Sequence, residues 1–156
     1  MSYEAYKSIH VLGVVLFLGN IIITGFWKAF ADRTGNPVVI AFGQRLVTIT
    51  DWIFTFGGVV LVVFGYTGMG YGSAHWTFFE HPAWVRWGIV MFYLSGIIWI
   101  AVLIPLQIAQ ARMARSFADG GPIPDRYWRF NRHWFIWGIL ATILPLANLY
   151  FMVFKP

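Results

Sequence analysis

Three side chains in this sequence can do more than pack, and each sits in a strongly apolar stretch. His10 lies near the start of the first such stretch, and a neutral imidazole can ligate haem iron or a metal, or relay a proton. Arg86 falls at a similar depth in a later stretch, where its guanidinium can pair with a porphyrin propionate or an anionic substrate. The alternative for His10 is a single hydrogen bond across a helix bundle. Asp51 is an isolated carboxylate among apolar neighbours, which must pair or titrate. Arg45, Arg112 and Arg132 are its candidate partners, and a structural ion pair is favoured over a proton relay. His75, Glu80 and His81 match no standard metal spacing and read as loop residues. Met69 and Met91 are too scattered for a soft copper site. No serine has a His and an acid at one depth, and no carboxylate pair suggests glycoside chemistry. Any enzymatic activity would therefore depend on a bound cofactor.

The elements that position these groups follow from composition. Of 156 residues, 59% are hydrophobic and 11% charged, where a soluble domain has about a quarter charged. A mean hydropathy of +0.68 excludes a water-soluble globule and intrinsic disorder alike. The absence of cysteine excludes disulfides, zinc knuckles and thiol catalysis. Four segments, about 9–27, 46–66, 84–107 and 134–154, are long and apolar enough to cross a bilayer. Backbone amides in hydrocarbon must be paired within the segment, so the fold class is all-α: one domain, 1–156, of four transmembrane helices in an antiparallel bundle. The first segment exceeds a signal-peptide core and reads as a retained helix.

Basic residues set the expected orientation. Lys28, Arg33 and Arg45 lie between spans one and two, and Arg112, Arg115, Arg126, Arg129 and Arg132 between spans three and four. Basic loops stay in the cytoplasm, which places both termini outside a bacterial inner membrane. The positive charge is thus a topology signal, and nucleic acid is not a partner. Trp27, Trp52, Trp76, Trp84, Trp87, Trp128 and Trp134 read as interfacial belts, whereas Trp99 and Trp137 sit deeper and need packing. Thr34-Gly35-Asn36-Pro37 reads as a turn, Gly68, Gly70 and Gly72 as a glycine-rich outer turn. Pro105 and Pro145 are expected to kink their helices.

Spacings of three and four define interior stripes. Tyr3, Tyr6, His10, Gly13, Phe17, Asn20, Thr24 and Trp27 share one face of span one, and Gln44, Thr48, Asp51, Thr55, Gly58, Val62 and Gly65 one face of span two. In span four the set is Gly138, Ala141, Pro145, Asn148 and Met152. Polar groups cannot face lipid unpartnered, so Asn20, Asp51 and Asn148 should form a polar interior. Phe30-Ala31-Asp32 recurs as Phe117-Ala118-Asp119, which suits either a duplicated hairpin or convergent capping.

Lys7-Ser8-Ile9-His10, Trp84-Val85-Arg86, Tyr127-Trp128-Arg129 and the ending Met152-Val153-Phe154-Lys155-Pro156 carry a family resemblance. Through them the chain resembles the bacterial integral membrane family known as domain of unknown function twenty-two sixty-nine, over nearly its whole length. More distantly it is similar to HemJ-type protoporphyrinogen oxidases and copper-resistance-D-like membrane proteins. Lys7 and His10 match a Lys-x-x-His of the HemJ type, and Lys155-Pro156 its ending. That similarity implies a b-type haem with His10 as axial ligand. The departures are Trp84-Val85-Arg86, where HemJ-type proteins carry His-x-Lys, and Arg129-Phe130-Asn131, which lacks one residue of their Arg-x-Phe-Asn.

Two functional expectations result. One is a haem- or porphyrin-binding bundle, with His10 as ligand and Arg86 as propionate partner near the outer face. The other is a non-enzymatic accessory subunit or small transporter component, with the lipid bilayer, copies of itself or other membrane subunits as partners.

Overall fold

The computed structural model describes residues 1–70 and 77–156. His75, Trp76 and Gly72 lie outside the described residues. Four long helices carry the chain: α1 (Tyr3–Arg33), α2 (Pro37–Gly68), α3 (Ala83–Ser116) and α4 (Asp125–Phe154). All four are long and apolar enough to cross a membrane, and no strand occurs among the described residues. At 1.5 Å per residue a 31-residue helix runs about 46 Å, well beyond the roughly 30 Å hydrocarbon layer. Each helix therefore overhangs the apolar layer by several turns, and the sequence-based spans marked only its middle. With four spans, both termini emerge at one end, the terminal end; the connections at 34–36 and 117–124 form the other, basic end.

Local chemistry fixes the ends. Ser2 Oγ accepts from the Ala5 amide at 3.3 Å and caps α1. The Thr34-Gly35-Asn36-Pro37 turn forms as expected: Gly35 takes φ +62°, Asn36 Oδ1 accepts from the Val38 amide at 3.0 Å, and Pro37 opens α2. The prolines behave differently from one another. Ahead of Pro105, α3 widens into a π-helical turn, Trp99–Leu103, which absorbs the ring and the missing amide. A second π turn, Asp51–Phe56, interrupts α2 without any proline. By contrast, α4 runs through Pro145 with no change of helix type. Proline removes the amide that Ala141 would bond, and Ser95 Oγ donates to that freed carbonyl at 2.8 Å instead.

The interior and exterior are exchanged relative to a soluble protein. Buried side chains include Asn20, Thr24, Lys28, Gln44, Asp51, Thr55, Gln107, Gln110 and Asn131, while Val, Ile, Leu and Phe line the outside. Lipid is the natural solvent for such a surface. Trp52 corrects the belt expectation: α2 begins at Pro37, so Trp52 lies at the helix centre and is lipid-exposed. Trp137 is 37% exposed, so packing covers most of the residue but not all of it.

Two hairpins make up the bundle. α1 packs on α2 along the two expected stripes, through glycine. A Cβ on Gly13 would lie 2.6 Å from the Val62 nitrogen, and one on Gly65 2.6 Å from the His10 nitrogen, so the backbones touch. α3 packs on α4 at Gly88, where a Cβ would meet Met152 and Asn148. The hairpins join towards the basic end, where Ile40, Ala114, Phe117 and Tyr127 form one cluster and Val47, Leu103, Trp134 and Ala141 another. The repeated Phe-Ala-Asp triplets fall in unlike surroundings: Phe30 is 62% exposed on α1, whereas Phe117 is fully buried beyond the end of α3.

Candidate functional site

The midpoints of the helices define one level of the bundle, and Asn20, Asp51 and Trp99 all lie within two residues of it. Asn20 reaches across from α1. Its Nδ2 donates to Asp51 Oδ1 at 3.0 Å and to Thr55 Oγ1 at 2.9 Å, and Thr55 Oγ1 donates to Asp51 Oδ1 at 3.0 Å. Gln107 and Trp99 stand near the carboxylate from α3, but the indole does not reach hydrogen-bonding geometry. No ion pair reaches Asp51 among the described residues, which corrects the expectation of Arg45, Arg112 or Arg132 as its partner. The reason is depth. Because α2 starts nine residues before the expected span, Asp51 sits at mid-helix, too deep for the basic end.

Asp51 and Thr55 form part of the wall of a cavity of about 730 Å³ between the hairpins. All four helices line it, and it lies open on one side. Lipid-exposed Ile22, Phe26, Ile97 and Ile139 belong to its lining, so the open side faces hydrocarbon. Three wall glycines, Gly25, Gly96 and Gly138, have no atom within 4 Å of where a Cβ would stand, so missing side chains contribute to the space. Trp99 and Trp134 also line the cavity, and neither indole Nε1 has a partner. The two π turns meet beside it, with the Trp52 and Trp99 rings 6.5 Å apart. Widened helical turns recur at functional sites because they re-aim side chains that a regular helix would bury.

A second polar cluster lies towards the basic end, and it was not foreseen. Lys28, only 1% exposed, donates to Gln44 Oε1 at 2.8 Å and to the Tyr127 hydroxyl at 2.9 Å. Asp32, one turn on, faces it at 3.6 Å, the one ion pair among the described residues. The ammonium also lies over the rings of Tyr127 and Trp134, at 5.2 and 5.6 Å from their centroids. Asn131 donates to Asp32 at 2.9 Å, and Gln110 to Asn131 at 3.1 Å, so all four helices are tied together. The signal was present: Thr24, Lys28 and Asp32 continue the α1 stripe at spacings of four. The stripe runs on to Lys28 in place of Trp27.

At the terminal end His10 is half-buried against α2, and its Nδ1 donates to the Val62 carbonyl at 2.9 Å. Arg86 lies in the first turn of α3, and no hydrogen bond or ion pair joins it to His10 among the described residues. Neither lines the cavity. Asn148 donates to the Gly88 carbonyl at 3.2 Å in the α3–α4 seam, away from Asn20 and Asp51. The polar interior therefore divides into two seams. His81, expected as a plain loop residue, is buried with its Nε2 3.4 Å from the Tyr66 hydroxyl. Glu80 caps the short turn Phe78–Glu80 by accepting from the Thr77 amide, and these bonds to Thr77 hold its carboxyl below the usual range. Two resemblance motifs meet where Lys155 lies over the Trp84 ring, 5.1 Å from its centroid.

Four long apolar helices, an apolar exterior and polar groups gathered inside define a polytopic α-helical integral membrane protein. The chain belongs to the family described as "Predicted integral membrane protein (DUF2269)", which matches residues 4–156. No curated protein and no solved structure matches it.

Proposed function

We propose that this protein is a small transporter component or accessory membrane subunit that holds an apolar molecule in its mid-membrane cavity, with Asp51 as the polar handle. One observation carries the reading: a carboxylate with no ionic partner among the described residues, at the middle of its helix, in the wall of a cavity that opens to lipid. Carboxylates are costly at that depth, and where they occur they mark substrate or ion pathways. Binding sites of transporters also lie near the midplane, where helices depart from regular geometry. Decylbenzene is a suitable probe. It should raise the Tm of the detergent-solubilised protein, and Gly138→Leu and Gly96→Leu should remove that rise while leaving the unliganded Tm close to wild type. An equal rise in the filled variants would sink the reading.

The imidazole favours a second reading, haem binding at His10. An Nδ1 proton held by a backbone carbonyl leaves Nε2 as the ligating atom, the usual posture of a metal-bound histidine. Haem would supply electron transfer there, while His10 would hold the iron and Arg86 a propionate. The open cavity lies elsewhere, which is why this reading stands second. A Soret band in protein expressed with ample haem, lost in His10→Ala, would support it; colourless protein would end it.

The orientation proposed here puts the basic end in the cytoplasm of a bacterial inner membrane and both termini outside. Because the chain lacks cysteine, Ser2→Cys and Gly35→Cys can each be labelled with an impermeant maleimide. Only Ser2→Cys should react from outside.

A further inference from the structure

We infer that the cavity selects a lipid-dissolved amine, whose ammonium head pairs with Asp51 while its apolar body fills the space between the hairpins. This rests on the reading of the cavity as a ligand site, and it follows from which polar atoms of the wall are spent. Asp51 Oδ1 already accepts from Asn20 and Thr55. The second oxygen, Oδ2, accepts from none of the described residues, and Gln107 and Trp99 approach the carboxylate without completing a hydrogen bond. Asp51 as a whole is only 8% exposed, yet Oδ2 is not among the sealed atoms that lack a partner, and the residue belongs to the cavity wall. The indole nitrogens of Trp99 and Trp134, by contrast, are fully enclosed. Oδ2 is thus the atom of the carboxylate left for a ligand.

A carboxylate accepts and never donates, so its partner must bring a proton on nitrogen or oxygen. Charge decides between the two. No lysine, arginine or histidine belongs to the described lining. Lys28, the buried cation towards the basic end, is already held by Gln44, Tyr127 and Asp32. A buried charge is tolerated when it is paired, and a cationic donor bonds a carboxylate more strongly than a neutral one does. An ammonium on the ligand therefore supplies what the wall lacks. An anion is refused twice, by the charge of Asp51 and by the shortage of donors. Thr24 donates to the Asn20 carbonyl, Ser95 to that of Ala141 and Thr142 to that of Gly138, each at 2.8 Å, while Thr55 is spent on Asp51. Tyr93, the remaining hydroxyl of the lining, is exposed towards lipid. Phe17, Ile21, Val59, Phe92 and Leu146 offer the body of the amine an apolar wall, and about 730 Å³ is within the range of pockets that bind small molecules.

The experiment compares four probes of matched shape against the full chain in non-ionic detergent, reading Tm by circular dichroism over a concentration series. The probes are butylbenzene, phenylbutanol, phenylbutylamine and phenylbutyrate. The amine should bind about tenfold tighter than butylbenzene, as one charge-assisted hydrogen bond requires. The alcohol should fall between them, and the acid should bind most weakly. Asp51→Asn keeps an oxygen for Asn20 and Thr55 but removes the charge, so the ratio of amine to butylbenzene affinity should fall to about one. Entry of the amine into the micelle is the same for both proteins and cancels in that comparison. Gly138→Leu carries the test if Asp51→Asn fails to fold: filling the cavity should remove the response to the amine. An amine response that survives Gly138→Leu, or a preference unchanged by Asp51→Asn, overturns the inference. An alcohol that binds as tightly as the amine, or an acid that binds tighter, also overturns it; in both cases the cavity reading stands. Binding of none of the four overturns both.

Discussion

Asp51 and Lys28 are both buried ionisable groups in helices that face each other, yet their surroundings differ in kind. Lys28 has an opposite charge one turn away, two neutral oxygens within 3 Å and two aromatic faces around it. Asp51 has an amide and a hydroxyl, no counter-ion among the described residues, and open space beside it. A charge buried with its complement holds elements together, because removing either member strands the other. A charge buried beside a cavity without its complement does little for the fold and is free to meet something else. The same fold thus contains a fastening towards the basic end and an opening at its middle.

Four measurements would break or sharpen that contrast. The largest effect is expected from Lys28→Met, which strands Asp32 and should cost about 3–5 kcal/mol of stability in detergent. Lys28→Met with Asp32→Asn should recover most of the loss. If the single variant is as stable as wild type, Lys28 is no fastening. Ser95→Ala comes next. It leaves the Ala141 carbonyl unpaired and should cost about 1 kcal/mol, abolished when Pro145→Ala restores a main-chain partner. Asp51→Asn should change unliganded stability by less, about 0.5 kcal/mol or below, because an amide oxygen still accepts from Asn20 and Thr55. A collapse of stability there would make Asp51 structural and erase the contrast.

Glu80 gives the smallest effect and an exposed reference. Its carboxyl is held below the ordinary range by bonds to Thr77, so its contribution is complete above that range. It is lost as pH falls through the lowered value. The Thr77 amide resonance should move over that acidic window and nowhere nearer neutrality.

How much of this was legible follows from the kind of signal each feature leaves. Fold class came from apolar length, because lipid imposes it on every residue of a span. The α1–α2 seam was legible too, since spacings of three and four place Asn20 opposite Asp51 once two helices face each other. The partner of Asp51 was misread because apolar runs mark the membrane and not the helix: α2 begins at Pro37, and its overhang moves Asp51 to the middle. Lys28 was missed for the same reason, since a basic residue just past an apolar run looks like a loop charge. Its i,i+4 spacing to Asp32 was the available clue. The π turn at Asp51–Phe56 has no proline or other breaker to announce it. The cavity arises where two hairpins diverge, which no single helix records, although Gly25, Gly96 and Gly138 hint at it.

Ser95 and Pro145 carry a consequence for how such a sequence can drift. The dependence runs one way: the imino acid costs α4 a bond, and a hydroxyl from the neighbouring segment makes it good, whereas the serine is tolerable without the proline. Related chains that keep the proline should therefore keep the serine, and a lineage that loses the serine first passes through a weakened intermediate. Tallying this pair across homologous sequences would reveal the dependence without purifying any protein.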